Sequence, residues 1–531
     1  MANKTYQVKI ESILGGISPM SDFASEGQCY DLFSVDPSLG LLSGVPSLYI
    51  KSSGLIVPTV TSISSNVDSL ASAGLWMVSN PKNSYIYVYD FVGSVYTNSG
   101  NILSGLGDLN DGGTSIGNGA SYYDNYIYFS RSTTVARYGP LDGTPSFTDD
   151  YWVGTLAKTA LSNTTYPVVQ STYANINMPN HFLHRHSDGR LYIADVVGNK
   201  GAIHYVQTTK TTVEGDTDNG STYNALEFGY GLWPTAITSY GDSIVVALFE
   251  GISTNKFRQS NAKIAIWDTV STSYNSITWL EFPDNLVTSI INVNGTLYFV
   301  SGDQTNEGFR LSKYLGGDTF QEVSFFGDGY LPLPGATLSI GESLLFGSYS
   351  RSSALPTIYR KKLRANSISD GVFKLGAATS PSNGMVTAIS TYPDLNSTAL
   401  GSLPAFCTAD TNTNTYKMGY INVGSSTTEV YAVFTSEVFR VGSKFKITKI
   451  SIPVSKSLPS TAGGSVRVYV DNFSSSYSVL SSISGYSGQK RIVIRPKGCV
   501  GENNFVLQFT FTSSNYAVGL PVIIEYEVID E

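Results

Sequence analysis

Short apolar runs, four to eight residues long, alternate along the chain with polar turns, and no helical periodicity is sustained beyond two turns. Leu286–Tyr314 shows the unit most clearly. Val287–Val293 is apolar with polar interruptions, Asn294-Gly295 follows, and Thr296–Ser301 (TLYFVS) returns, rich in β-branched and aromatic residues. Asn-Gly is the strongest two-residue hairpin signal, because a type I′ turn needs φ > 0 at both central positions. A polar loop, Gly302–Gly308, leads to a third strand at Phe309–Tyr314, and a fourth is expected at Phe320–Phe325. Four such strands leave two edges and two faces to cover. Copies packed face to face around an axis cover them.

The unit recurs with turns at Asp124-Asn125, Asp188-Gly189, Gly241-Asp242 and Gly341-Glu342. Leu75–Asp90 and the pair Met385–Ser390 and Phe406–Asp410 are less regular copies. Turn-to-turn spacings of about 40 to 65 residues suit four-stranded propeller blades. The expected fold is therefore all-β: a β-propeller over residues 66–425, with seven blades preferred, six or eight also fitting. Polar inserts at Asn101–Gly119, Asp142–Pro179 and Thr208–Trp233 are expected to emerge at the ring faces. Ser62–Gly74 is the nearest thing to a helix.

The two ends differ from this repeat. Residues 1–65 read as an N-terminal extended arm, of which Leu55–Ile63 is a candidate to pair into the last blade and close the ring. Residues 426–531 hold six strand-like runs between Gly/Ser/Pro turns, the pattern of a jelly-roll-like β-sandwich. Ser465–Val470 (SVRVYV) alternates charge and valine. Lys444, Lys446, Lys449, Lys456, Arg467, Lys490, Arg491, Arg495 and Lys497 make this region more basic than the rest. A solvated sheet face is the plainer account of that charge, an acidic partner the sharper one.

Composition narrows the function classes. Charged residues are only 14%, against a usual ~25%, so Ser, Thr, Asn, Gly and Tyr must cover the surface. The net charge is −8 and no Lys/Arg run occurs, so no sequence-specific nucleic-acid binding is expected. The three cysteines, Cys29, Cys407 and Cys499, lie far apart, which argues against a disulfide framework and suits a reducing cytoplasm. No signal peptide and no membrane span is read from the sequence.

Candidate chemistry is sparse. His184 and His186 share a strand face, and His204 lies in the same blade, a grouping that could hold a metal. Polar blade packing is the plainer account of them, since His181 has the opposite parity and no Cys or carboxylate completes a known ligand spacing. Asp216, Asp218 and Glu227 match positions one, three and twelve of an EF-hand loop, but Gly220 and Ser221 break its middle and no helices flank it. These three are the candidate metal ligands, for a structural calcium ion; no other cofactor is expected. Asp108, Asn110 and Asp111 form a shorter acidic turn. No G-x-S-x-G elbow or Cys–His context supports a nucleophile, so no catalytic residue is assigned and the chain is expected not to be an enzyme.

With Gly15-Gly16-Ile17-Ser18-Pro19, Asp36-Pro37 and Ser53–Pro58 in the arm, the chain resembles virion structural proteins of tailed bacteriophages, of the propeller-bearing tail nozzle or hub kind. The resemblance implies a ring of copies in the virion, contacts with portal, adaptor and tail-fibre proteins, and a share in the DNA-ejection channel. It carries no site residues. Two alternatives are a receptor- or carbohydrate-binding propeller, which predicts an aromatic cleft open to solvent, and a propeller glycosidase, which predicts close carboxylates in a central pocket.

Overall fold

The computed structural model describes residues 4–529 with breaks, the larger at 18–27, 51–75, 98–115, 149–181, 208–220, 375–385, 394–401 and 421–431. Candidates at 53–63, 62–74 and 108–111 lie outside the described residues.

Strand follows strand almost throughout; two 3-10 turns, Tyr274–Ser276 and Ile483–Tyr486, are the helical elements among the described residues. Between residues 76 and 420 the described strands form seven consecutive antiparallel sheets, each in chain order. The fifth is the clearest: Leu286–Val293, Thr296–Gly302, Phe309–Gly316 and Thr319–Phe326. Its first turn has Asn294 at φ 50° and Gly295 at φ 80°, the left-handed pair that a type I′ turn demands. The first strands of successive sheets touch in order, and Val386–Pro393 of the seventh reaches Trp76–Ser79 of the first, so the set forms a propeller.

The sheets are held face to face by apolar side chains. Between the fifth and sixth, Phe309 stacks on Phe326 at 4.6 Å, with Phe346 and Tyr359 edge-on to Phe309. Each such buried ring contributes roughly 1.5–3 kcal/mol relative to exposure. The expected polar insert at Thr208–Trp233 is in part structured: Ser221–Tyr230 is the fourth strand of the third sheet, and Leu232–Tyr240 opens the fourth. The polar run STYN at its start reads as loop, although the strand begins there.

A sandwich packs beside the propeller. One sheet runs Thr5–Ile10, Val522–Val528, Phe445–Pro453, Arg491–Ile494. The other joins Gly16–Ile17 and Gln28–Phe33 to Ala432–Ser436, Asn504–Phe511, Gly464–Val470 and Ser476–Ser482. Val466, Val468 and Val470 face a core with Phe434, Phe445, Phe505 and Phe509.

This corrects the reading of residues 1–65 as an extended arm. Ile10, Cys29, Val35 and Leu42 are buried in the sandwich core, and Thr5–Ile10 pairs with Val522–Val528. The segment then crosses to the propeller, where Tyr49–Ile50 pairs with Thr415–Tyr420 as the fourth strand of the seventh sheet. The ring is thus joined by an N-terminal strand, as expected, but a few residues before the segment chosen for it. Strand pairing satisfies backbone groups that an isolated arm would leave to water.

Candidate functional site

The densest group of chemically able side chains lies where the first strands of the third, fourth and fifth sheets meet. The local cause is the repeat itself: His186, Ser239 and Asn292 each stand two residues before a tight turn. Antiparallel strands of similar length bring those positions to one end of the ring. His184 Nε2 lies 2.6 Å and His186 Nδ1 2.7 Å from the same atom, Ser239 Oγ. Asn292 Nδ2 donates to the Ser239 carbonyl at 2.8 Å, and its Oδ1 accepts from the Gly295 N–H of its own turn.

A hydroxyl has one proton to give and two lone pairs. With both rings neutral, Ser239 donates to one imidazole and accepts from the N–H of the other. Burial, and then the neighbouring His186, push the His184 pKa down to about 4, so that ring is neutral near pH 7. The arrangement ties three sheets together.

Beside it, Asp188 accepts from the Tyr192 hydroxyl at 2.6 Å and from the Arg190 N–H at 3.0 Å. Burial and the Asp188 carboxylate raise the Tyr192 phenol well above its usual range. Tyr123 of the second sheet donates to the Gly189 carbonyl, so the turn is gripped from the neighbouring sheet.

The three histidines named from the sequence do not converge. His204 is in register with Ile193, whereas His184 is in register with Tyr192, so they point to opposite faces. His204 is buried against Asp195, Nε2 to Oδ2 3.3 Å. Among the described residues no group of three His, Cys, Asp or Glu side chains could hold a metal ion. Asp216 and Asp218 lie outside the described residues. Glu227 sits within the strand Ser221–Tyr230, its carboxylate 3.5 Å from Lys200 Nζ. The second half of the EF-hand-like stretch is therefore extended backbone, which does not curl round an ion.

Sequence reasoning missed Ser239, whose signal was only its place two residues before Gly241. It also missed a pair of latches. Ser301 Oγ donates to Asp284 at 2.6 Å, and Arg310 donates to the same carboxylate at 2.8 Å while reaching Glu322 at 3.3 Å. In the next sheet Ser350 donates to Asp328 in the same way. Each latch ties the loop entering a sheet to the end of that sheet's second strand.

No protein-family profile matches the chain, and no curated protein does. Solved structures match at low similarity. The N-terminal domain of Nup159 superposes with a TM-score of 0.36 at 12% identity, covering 71% of this chain and 95% of that one. An exo-β-1,3-galactanase from Phanerochaete chrysosporium, solved with galactose, gives 0.29 at 12%, covering 90% and 100%. Sqt1 of Saccharomyces cerevisiae gives 0.35 at 8%, covering 66% and 97%. Likeness at these levels says nothing of ligand or role. No helix among the described residues is long and apolar enough to cross a membrane.

Proposed function

We propose that this chain is a structural component of a tailed-bacteriophage virion, a tail nozzle or hub-type ring protein that helps shape the DNA-ejection channel and attaches other tail parts. Its partners are copies of itself, a portal or adaptor protein and tail fibres. The observation that supports a structural role is the clasp. One chain builds sandwich strands, supplies Tyr49–Ile50 to the last propeller sheet, and returns to finish the sandwich. Paired strands at both ends of the crossing make propeller and sandwich one mechanical unit, as a part bearing load between neighbours requires. The test is electron microscopy of purified particles carrying a tag inserted at Gly442-Ser443, an exposed turn of the sandwich with open space around Gly442. Tag density in several copies at the tail is expected; particles that lack the protein would end the reading.

One observation favours a second reading, a carbohydrate-binding propeller. Tyr230 is 73% exposed and Tyr274 41%, and the Tyr274 ring lies 4.8 Å from Trp279, leaving an aromatic surface on the rim. Flat aromatic faces stack on sugar rings. Binding on a glycan array, abolished by Tyr230→Ala with Tyr274→Ala, is the expected result; an array without signal removes this reading.

A further inference from the structure

The strand Arg491–Ile494 is the last of its sheet, so one of its edges has no neighbouring strand in that sheet. Ile492 and Ile494 are buried, which turns Arg491 and Arg495 outward. Lys490 and Lys497 flank them, and all four are exposed. From residue 472 to residue 501 the sequence has no carboxylate. No ion pair joins any of the four cations to another described residue. A compact, uncompensated cationic edge therefore stands on a chain whose net charge is −8.

The propeller carries the complement. In an antiparallel four-stranded sheet, the first and third turns leave at the same end. Asp124 and Asp242 occupy first turns of the second and fourth sheets. Asp268 and Asp318 occupy third turns of the fourth and fifth. All four are exposed on one face of the ring, and none makes an ion pair with a described residue. Hydrogen bonds from the Ser271 hydroxyl and N–H keep the Asp268 carboxyl below its ordinary range, so it stays charged.

We propose that the cationic edge at Lys490, Arg491, Arg495 and Lys497 docks on the acidic turn face of a second copy of this chain. The contact is heterologous, edge to turn face, so a bound pair keeps one free edge and one free face, and repetition closes a ring or extends a filament. It rests on the structural reading above, whose ring it would build. Complementary potentials steer encounter and fix register, and they weaken as salt screens them. The competing account is that the cations only guard an exposed sheet edge against pairing, which needs no partner.

The experiment is sedimentation of the purified full-length chain at low salt and at about 1 M, where the screening length is about 3 Å. Concentration-dependent association at low salt, reduced by salt, is expected. Reversing the edge (K490E, R491E, R495E and K497E together) should weaken association by about tenfold or more, and so should D124K with D242K. Mixing the two variants should restore association, because the reversed edge fits the reversed face and the unchanged edge of one variant fits the unchanged face of the other. Circular dichroism spectra matching wild type show that both variants fold; should the fourfold variant not fold, R491E with R495E replaces it. A wild-type chain monomeric at low salt, undiminished association of the reversed edge, or a monomer whose edge instead retains heparin would each overturn the proposal. Particle imaging can still place a monomeric chain in a virion, so failure here is separable from failure of the structural role.

Discussion

Tyr49 stands opposite Tyr420 in antiparallel register, so the last sheet of the propeller is completed by the segment that has just left the sandwich. Deleting residues 2–50 therefore removes strands from both bodies. The expected outcome is loss of the cooperative thermal transition by circular dichroism, with the protein leaving gel filtration as aggregate. A truncated protein that melts like wild type would show that the strand pairs at Thr5–Ile10 and Tyr49–Ile50 contribute nothing.

Gly295 has open space where a Cβ would stand, so a side chain there meets strain and no clash. At φ 80° a β-branched residue is disfavoured, and Gly295→Val should cost about 1–3 kcal/mol. The urea midpoint measures it. Gly295→Asn, which tolerates the left-handed region, should recover most of the loss.

Acid should weaken the seam at Ser239. The folded pKa of His184, about 4, lies below the ordinary 6.5, so the unfolded chain binds the proton first. Stability from this group is complete above pH 6.5 and is lost as pH falls towards 4, by at most about 3 kcal/mol. His184→Gln should flatten the fall of the unfolding midpoint between those two pH values. Equal slopes for variant and wild type would count against the burial of this ring.

Ser301 is fully buried and serves Asp284. Ser301→Ala should destabilise by about 1.5–3 kcal/mol, the range for a hydrogen bond to a charged group. Chemical denaturation of this variant and of Ser350→Ala should give losses of similar size, since the second latch repeats the first. A loss under a few tenths would mean that Arg310 alone holds the carboxylate.

Turn chemistry was legible in the sequence because it is local. Asp124, Asn125, Gly189, Gly241, Asn294, Gly295 and Gly341 all have positive φ, at the positions their residue types suggested. The alternation of SVRVYV likewise named its buried face correctly, with Val466, Val468 and Val470 inward. Pairing between distant segments was not legible. TYQVKI has the alternation of a strand, but nothing within it points to Val522–Val528 as partner. The histidines show the same limit. Parity along one strand put His184 and His186 together, whereas the face of His204 depended on inter-strand register. Ser239 joined them from another sheet, and no spacing in the sequence encodes that contact.

The pairing of Thr5 with Glu527 also sets the order of events during synthesis. Thr5–Ile10 waits for Val522–Val528, made long after it, and Tyr49 waits for Tyr420. Propeller sheets two to six can form as they emerge, each from contiguous sequence. The sandwich and the seventh sheet cannot, so the segment with Ile10, Cys29 and Leu42, bound for a core, stays without it while the whole propeller is being made.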